Sequence, residues 1–164
     1  MAVLITFIQR SIGQGIAILF GATGEIMTEK SGNLNLGIPG IMYMGGVAGL
    51  LGAFFYENGN ANPSPLVGML ISLICCLLCS LLGGLIYTFL TVTLRANQNV
   101  VGLALTTFGT GFGNFFGGSL IKLTGADVPS IALSATSKAF KTTLPFAGKA
   151  GVVGELLLSY GFMT

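Results

Sequence analysis

Histidine is missing from all 164 residues, and charge nearly so. Charged residues make up 7% of the chain, against roughly a quarter in an ordinary soluble domain. So little charge cannot cover a soluble surface with hydrated groups. Hydrophobic residues account for 52%, and the mean hydropathy is +0.87, so the chain reads as a membrane protein. Strict apolar–polar alternation is lacking too, which argues against a transmembrane β-barrel. Helices satisfy their own backbone groups in lipid and are the expected element.

Other shortages exclude further classes. The net charge of +2 is spread thinly, with no basic cluster suited to nucleic acid. The start, MAVLITFIQRSIGQG, lacks the charged opening and cleavage site of a signal peptide and reads as part of a first helix. Cys75, Cys76 and Cys79 all lie in the apolar run LISLICCLLCSLLGG. Cys76 and Cys79 form a lone C-x-x-C with no second pair and no histidine, so they read as small apolar lipid-facing or packing residues rather than a metal or redox site. FGTGFGNFFGG has Asn114 where a phosphate-binding G-x-G-x-x-G needs its last glycine, and PFAGKAG lacks the first glycine and the Ser/Thr of a Walker A loop. No nucleophile and base converge, so no catalytic residue, metal or cofactor is expected on this chain.

What is present is long charge-free sequence. No charge occurs from Ser31 to Tyr56, from Asn58 to Leu94, or from Ala96 to Ile121. Each run exceeds the roughly 20 residues that span a bilayer as helix. The expected fold is an all-α polytopic transmembrane helical bundle with about four complete membrane helices plus the start of a fifth. Their expected extents are about 6–27, 38–56, 65–93 and 100–118, broken by the polar turns ENGNANPSP and LRANQN. Residues 1–118 form the membrane region. Residues 119–148, with Lys122, Asp127, Lys138 and Lys141, read as a polar loop with possible short interfacial helices. Residues 149–164 read as the beginning of a further membrane helix that the chain end interrupts.

Small residues recur at helix-packing spacing: Gly45 and Gly49 in helix two, and Gly109, Gly113 and Gly117 in helix four. This spacing brings helices close together and points mainly to tight internal packing.

Two polar stretches stand out. In GATGEIMTEKSGNLNLGIPGIM, polar and helix-breaking residues reach into both flanking apolar runs. Non-helical backbone at membrane depth needs protein or a water-filled cavity around it, and transporters line their sites with such breaks. One reading is a functional break beside a translocation path, with Glu25, Asn33, Asn35 and Gly37 near it. The other is an interfacial turn capped by Ser31 and Asn33, its glycines merely allowing the reversal. Glu25 and Glu29 fall four apart and share a helix face. The second stretch, LRANQNVVGLALTTFGTG, offers Asn97, Asn99 and Thr106, with Asn99 placed to cap helix four or to contact a solute. Asn35, Gly37, Asn97 and Thr106 are expected to converge near one cavity.

These stretches also carry a resemblance. Gly24-Glu25, Glu29-Lys30-Ser31-Gly32, Asn35-Leu36-Gly37 and Gly40-Ile41-Met42 resemble the first conserved block of permease subunits in bacterial ABC importers for nucleosides and simple sugars. Leu94-Arg95-Ala96-Asn97-Gln98 followed by Gly102-Leu103-Ala104-Leu105 resembles the second block. The resemblance implies a multi-pass protein of the bacterial plasma membrane, in contact with membrane lipid, that lines a solute path. It also implies a second permease subunit, a cytoplasmic ABC ATPase that hydrolyses the ATP, and an external solute-binding lipoprotein. Permeases of branched-chain amino acid importers are the nearest competitor. A small accessory or channel-like membrane protein without energy coupling is the alternative from another class. The family's ATPase-docking segment lies in its later half and does not occur before Thr164, so the resemblance implies an N-terminal portion. Orientation is set two ways: lysine count favours the side of Lys122, Lys138 and Lys141 as cytoplasmic, whereas the resemblance puts Lys30 and Arg95 there.

Overall fold

The computed structural model describes residues 2–124 and 133–140. Every regular element among them is helical: α1 (Ala2–Lys30), α2 (Ile38–Gly59), α3 (Pro65–Thr88), a π-helical turn (Phe89–Thr93), α4 (Gln98–Thr124) and the short α5 (Ser134–Phe140). Two stretches are long and apolar enough to cross a membrane, Ile38–Gly59 and Pro65–Thr93. α1 and α4, with 29 and 27 residues, reach about 43 and 40 Å at 1.5 Å per residue. Their length suffices for a span, but Gln9, Arg10, Gln14 and Glu25 in α1, and the polar side chains of α4, dilute their apolar character.

The helix limits follow local chemistry. α2 and α3 both start with proline in the first turn, where its missing N–H costs nothing. α3 passes into the π turn, marked by the bond from Leu94 N–H to the Phe89 carbonyl, and Ala96 N–H then closes the helix end on the Leu90 carbonyl. Arg95 then takes a left-handed conformation, φ 51°, and the chain turns into α4. That helix runs past the expected end at Gly118 to Thr124, so part of the expected polar loop is helix. Residues 149–164, expected to begin a further membrane helix, lie outside the described residues.

α2 is central, and its neighbours pack through glycine. Gly45, Gly49 and Gly52 face Ser72, Cys75, Cys76 and Ser80 of α3, while Gly83 of α3 receives Ile41. This pairing runs antiparallel, and Cys75 and Cys76 serve as packing residues. On the other side, a Cβ on Gly40 would stand 2.6 Å from the Leu105 carbonyl oxygen and from Thr106 Cα, and Gly109 lies on the Gly40 backbone. α2 and α4 therefore touch main chain to main chain and run parallel. Gly113 lies under the Tyr43 ring, but Gly117 has nothing within 4 Å of its Cβ position. Gly45, Gly49, Gly109 and Gly113 each lie against a neighbouring helix.

Among the described residues, α1 meets the first turns of α2, through Gly21 against Met42 and Gly24 against Ile38, and the loop that leads into it. The core joins Tyr87 of α3 to Val101 and Leu105 of α4, with Ile41, Leu90 and Ala96 against them. At the opposite end, the Glu57 carboxylate accepts the N–H groups of Ser134 (3.0 Å) and Thr136 (2.7 Å). It thereby caps α5 and holds it beside Gly68 of α3.

Candidate functional site

Residues 31–37 join α1 to α2 as largely non-helical chain, and side chains from three helices hold it. Ser31, Gly32 and Asn33 first close the end of α1 by donating N–H to the Thr28 and Glu29 carbonyls. Gly32 sits at φ +87°, the one place in this segment where reversal needs glycine's freedom. Beyond it, Leu34 N–H donates to Gln98 Oε1 and Asn35 N–H to Glu25 Oε1, each at 2.9 Å. The carbonyls are met as well: Tyr87 Oη donates to the Leu34 oxygen at 2.6 Å and Thr106 Oγ1 to the Leu36 oxygen at 2.6 Å. Asn35 Oδ1 accepts Gly37 N–H at 2.9 Å, an Asx turn that starts α2. Asn35 is only 6% exposed. An unpaired amide there would cost about 1–3 kcal/mol, so these bonds permit extended backbone inside the bundle.

The register explains why these residues meet. Gln98 stands opposite Leu34, Gly102 opposite Leu36 and Gly37, and Leu105 and Thr106 opposite Gly37 and Gly40. The extended segment therefore lies along the first turns of α4. Gly37 has φ −85°, so its glycine answers to space rather than to dihedral angle. A Cβ there would lie 2.9 Å from Asn35 Oδ1 and 3.0 Å from Leu105.

A cleft of about 720 Å³ opens between α1 and α2. Ile18, Gly21, Ile38 and Met42 make it mainly apolar, with Glu25, Glu29 and Asn35 on its wall and Tyr43 at its far end. Glu25 Oε1 accepts the Asn35 N–H, while the Thr28 hydroxyl turns back to the Glu25 main-chain carbonyl at 2.8 Å, with Oε2 at 3.3 Å. The carboxylate orders the loop.

The expected site residues separate into distinct places. Glu25, Asn35, Gly37 and Thr106 come together around residues 34–37. Asn33 joins them through Gln98, whose Nε2 donates to Asn33 Oδ1 at 3.0 Å. Asn97 stands apart from that group. Its Oδ1 accepts the N–H of Asn99 (3.0 Å) and Val100 (3.3 Å), so Asn97, not Asn99, caps α4. Of Asn35, Gly37, Asn97 and Thr106, Asn35 lines the cleft between α1 and α2, Gly37 and Thr106 adjoin it through the loop, and Asn97 sits at the start of α4. Asn99 is exposed on α4. Ser31 and Asn33 close the turn onto the end of α1, the Ser31 hydroxyl also donating to the Thr28 carbonyl, and the N-cap position of α2, Gly37, has no side-chain cap.

Tyr87 and Gln98 escaped the sequence reading as members of this site. A single phenol in the otherwise apolar helix SLLGGLIYTFL was the available signal, since a buried Tyr hydroxyl needs a partner.

Comparison with known proteins decides the family. The family model described as "Branched-chain amino acid transport system / permease component" matches residues 7–163. The chain belongs to this family. It is 28% identical over 133 residues, 81% of its length, to the Haloferax volcanii protein named "Putative glucose ABC transporter permease protein TsgC13". It is 26% identical over 149 residues, 90% of its length, to the guanosine ABC transporter permease protein NupQ of Bacillus subtilis. The aligned parts cover 37% and 43% of those two proteins, so this permease-family chain spans less than half the length of either relative. No solved structure gives a significant match.

Proposed function

We propose that this chain is the N-terminal portion of the membrane-spanning permease subunit of an ATP-driven importer for nucleosides or simple sugars. The observation that carries the proposal is the family match over residues 7–163. The named relatives, a glucose and a guanosine permease, favour a neutral, hydroxyl-rich solute. The clasped backbone ahead of α2 supports a role beside a path, since irregular main chain persists in a membrane bundle only where protein or water shelters it.

In this reading α1 to α4 each cross the bacterial plasma membrane, and the end bearing Lys30 and Arg95 faces the cytoplasm. Glu25, Asn33, Asn35, Gly37 and Thr106 shape the wall of the path by fixing the loop, while Asn97 and Asn99 mark the start of α4. A second permease subunit completes the path, an external binding protein delivers solute, and ATP hydrolysis takes place on a partner ATPase. The full-length permease, reconstituted in proteoliposomes with its ATPase and binding protein, is expected to take up labelled guanosine or glucose only with ATP. Failure to import any nucleoside or sugar overturns the proposal.

The family description favours a second reading, a branched-chain amino acid permease. Labelled leucine belongs in the same assay, and ATP-dependent leucine uptake without nucleoside or sugar uptake selects it.

A further inference from the structure

α4 divides its surface sharply. At 100° per residue, Gly102, Gly109 and Gly113 fall on the line that meets α2 and its leading loop. To one side lie Phe108, Phe112, Phe115 and Phe116, in tilted and edge-on contact with centroids 4.5 to 6.4 Å apart. On the other side lie Asn99, Thr106, Thr107, Thr110 and Asn114, an uncharged polar sector. Thr107 and Thr110 bond back to their own helix, as hydroxyls facing lipid also do. Thr106 and Asn114 instead reach across to α2 and its leading loop. Thr106 holds the Leu36 carbonyl, and Asn114 Oδ1 accepts the Tyr43 hydroxyl at 3.1 Å.

Asn114 is the informative residue. It is exposed, in the middle of α4, level with Tyr43. Tyr43 itself lies about 8 Å into a helix apolar enough to span. The Tyr43 hydroxyl fills one acceptor position on Asn114, leaving an NH₂ group with two donors to satisfy. Hydrocarbon offers nothing for them, so this face of α4 meets water, solute or protein rather than lipid. Tyr43 is 42% exposed and also lines the cleft. Its ring packs against Gly113 and so joins the cleft to the polar sector.

We infer that the sector of α4 bearing Asn99, Thr106, Thr110 and Asn114, edged by the Tyr43 ring, is the solute-contacting wall of the path. The inference rests on the transport reading above and names residues for it. The wall carries hydroxyls, amides and one aromatic face but no charge, which suits an uncharged sugar or nucleoside: neutral hydrogen bonds for hydroxyls, a ring for a base or a sugar's C–H face. It offers no counter-charge to the ammonium and carboxylate of an amino acid, and Glu25 Oε1 is already bonded to the Asn35 N–H.

The test uses the full-length permease with its ATPase and binding protein, carrying alanine at Cys75, Cys76 and Cys79. Single Thr110→Cys, Asn114→Cys and Phe115→Cys variants are treated with a charged, membrane-impermeant thiol reagent. Thr110→Cys and Asn114→Cys are expected to react about tenfold or more faster than Phe115→Cys, since the thiolate forms only where water reaches, and imported solute should slow them. In uptake assays, Tyr43→Phe and Asn114→Ala should each raise KM about three- to tenfold, the loss of one neutral hydrogen bond, while Phe115→Leu leaves uptake unchanged. If the parent imports a sugar or nucleoside but both stripe cysteines stay as unreactive as Phe115→Cys, the sector is covered by another helix or subunit and this inference alone falls. Unchanged KM in both Tyr43→Phe and Asn114→Ala has the same meaning. A parent that imports no sugar or nucleoside overturns the transport reading and this inference together.

Discussion

The Glu25 carboxylate accepts the backbone N–H of Asn35 at 2.9 Å, tying the last turns of α1 to the extended chain ahead of α2. Asn35 is buried, so this bond has no solvent substitute. Glu25→Ala is expected to destabilise the protein by about 1–3 kcal/mol, the cost of a buried donor left unpaired. Glu25→Gln keeps an acceptor and should lose less, having given up only the charge. Thermal unfolding in detergent, followed by loss of monodispersity, measures both. Equal effects for Ala and Gln would count against the bond.

The meeting of α2 and α4 at Gly40 leaves no room for a methyl group. Gly40→Ala should lower Tm clearly, by the roughly 1–3 kcal/mol of an overpacked contact, because the neighbouring atoms are main-chain atoms of Leu105 and Thr106. Gly46→Ala is the matched control: nothing lies within 4 Å of its Cβ position, and alanine is the better helix former by about 1 kcal/mol. Opposite signs for the two substitutions are expected.

Gly37→Leu tests whether the loop geometry serves transport. Its side chain would run into Asn35 Oδ1 and Leu105, breaking the Asx turn while α2 and α3 keep their apolar runs. Membrane insertion, scored by alkali-resistant pelleting, should persist, and ATP-dependent uptake by the full-length protein should disappear. Normal uptake would show that this turn is dispensable.

At the far end of α2, Glu57 accepts the N–H groups of Ser134 and Thr136. Glu57→Ala should release α5, with hydrogen exchange of residues 134–136 rising about fivefold or more for each lost kilocalorie per mole. Exchange in α2 and α3 should stay unchanged.

Arg95 holds φ 51° at the turn between α3 and α4, a conformation that costs a non-glycine residue about 1–2 kcal/mol. Arg95→Gly should therefore raise stability, offset in part by the freer unfolded chain. A fall in Tm would mean that the guanidinium makes a contact worth more than the strain.

Much of the architecture was legible in one dimension. Charge-free runs longer than a bilayer, proline at helix starts and the Asn-Gly-Pro turn after Tyr56 are local signals, and α2 and α3 formed where those signals put them. The glycine pairs Gly45/Gly49 and Gly109/Gly113 were readable as close-packing faces for the same reason: four-residue spacing stacks residues on one side of a helix. The sequence also marked Glu25 and Asn35 as unusual, since polar groups beside long apolar runs need partners.

Which partners they take was decided in three dimensions. Glu25 meets Asn35 because α1 folds back on the loop, Tyr87 meets Leu34 because α3 runs antiparallel to α2, and Thr106 meets Leu36 because α4 lies parallel to α2 with its first turns alongside the extended chain. That register comes from two glycine backbones in contact, not from any local preference. The same packing turned Asn97 into a cap and left Asn114 beside Tyr43 on an open face. Sequence alone determined that polar groups sit among membrane helices; only tertiary structure decided which are consumed in holding backbone and which remain free, because hydrogen bonds between distant segments depend on where packing brings them.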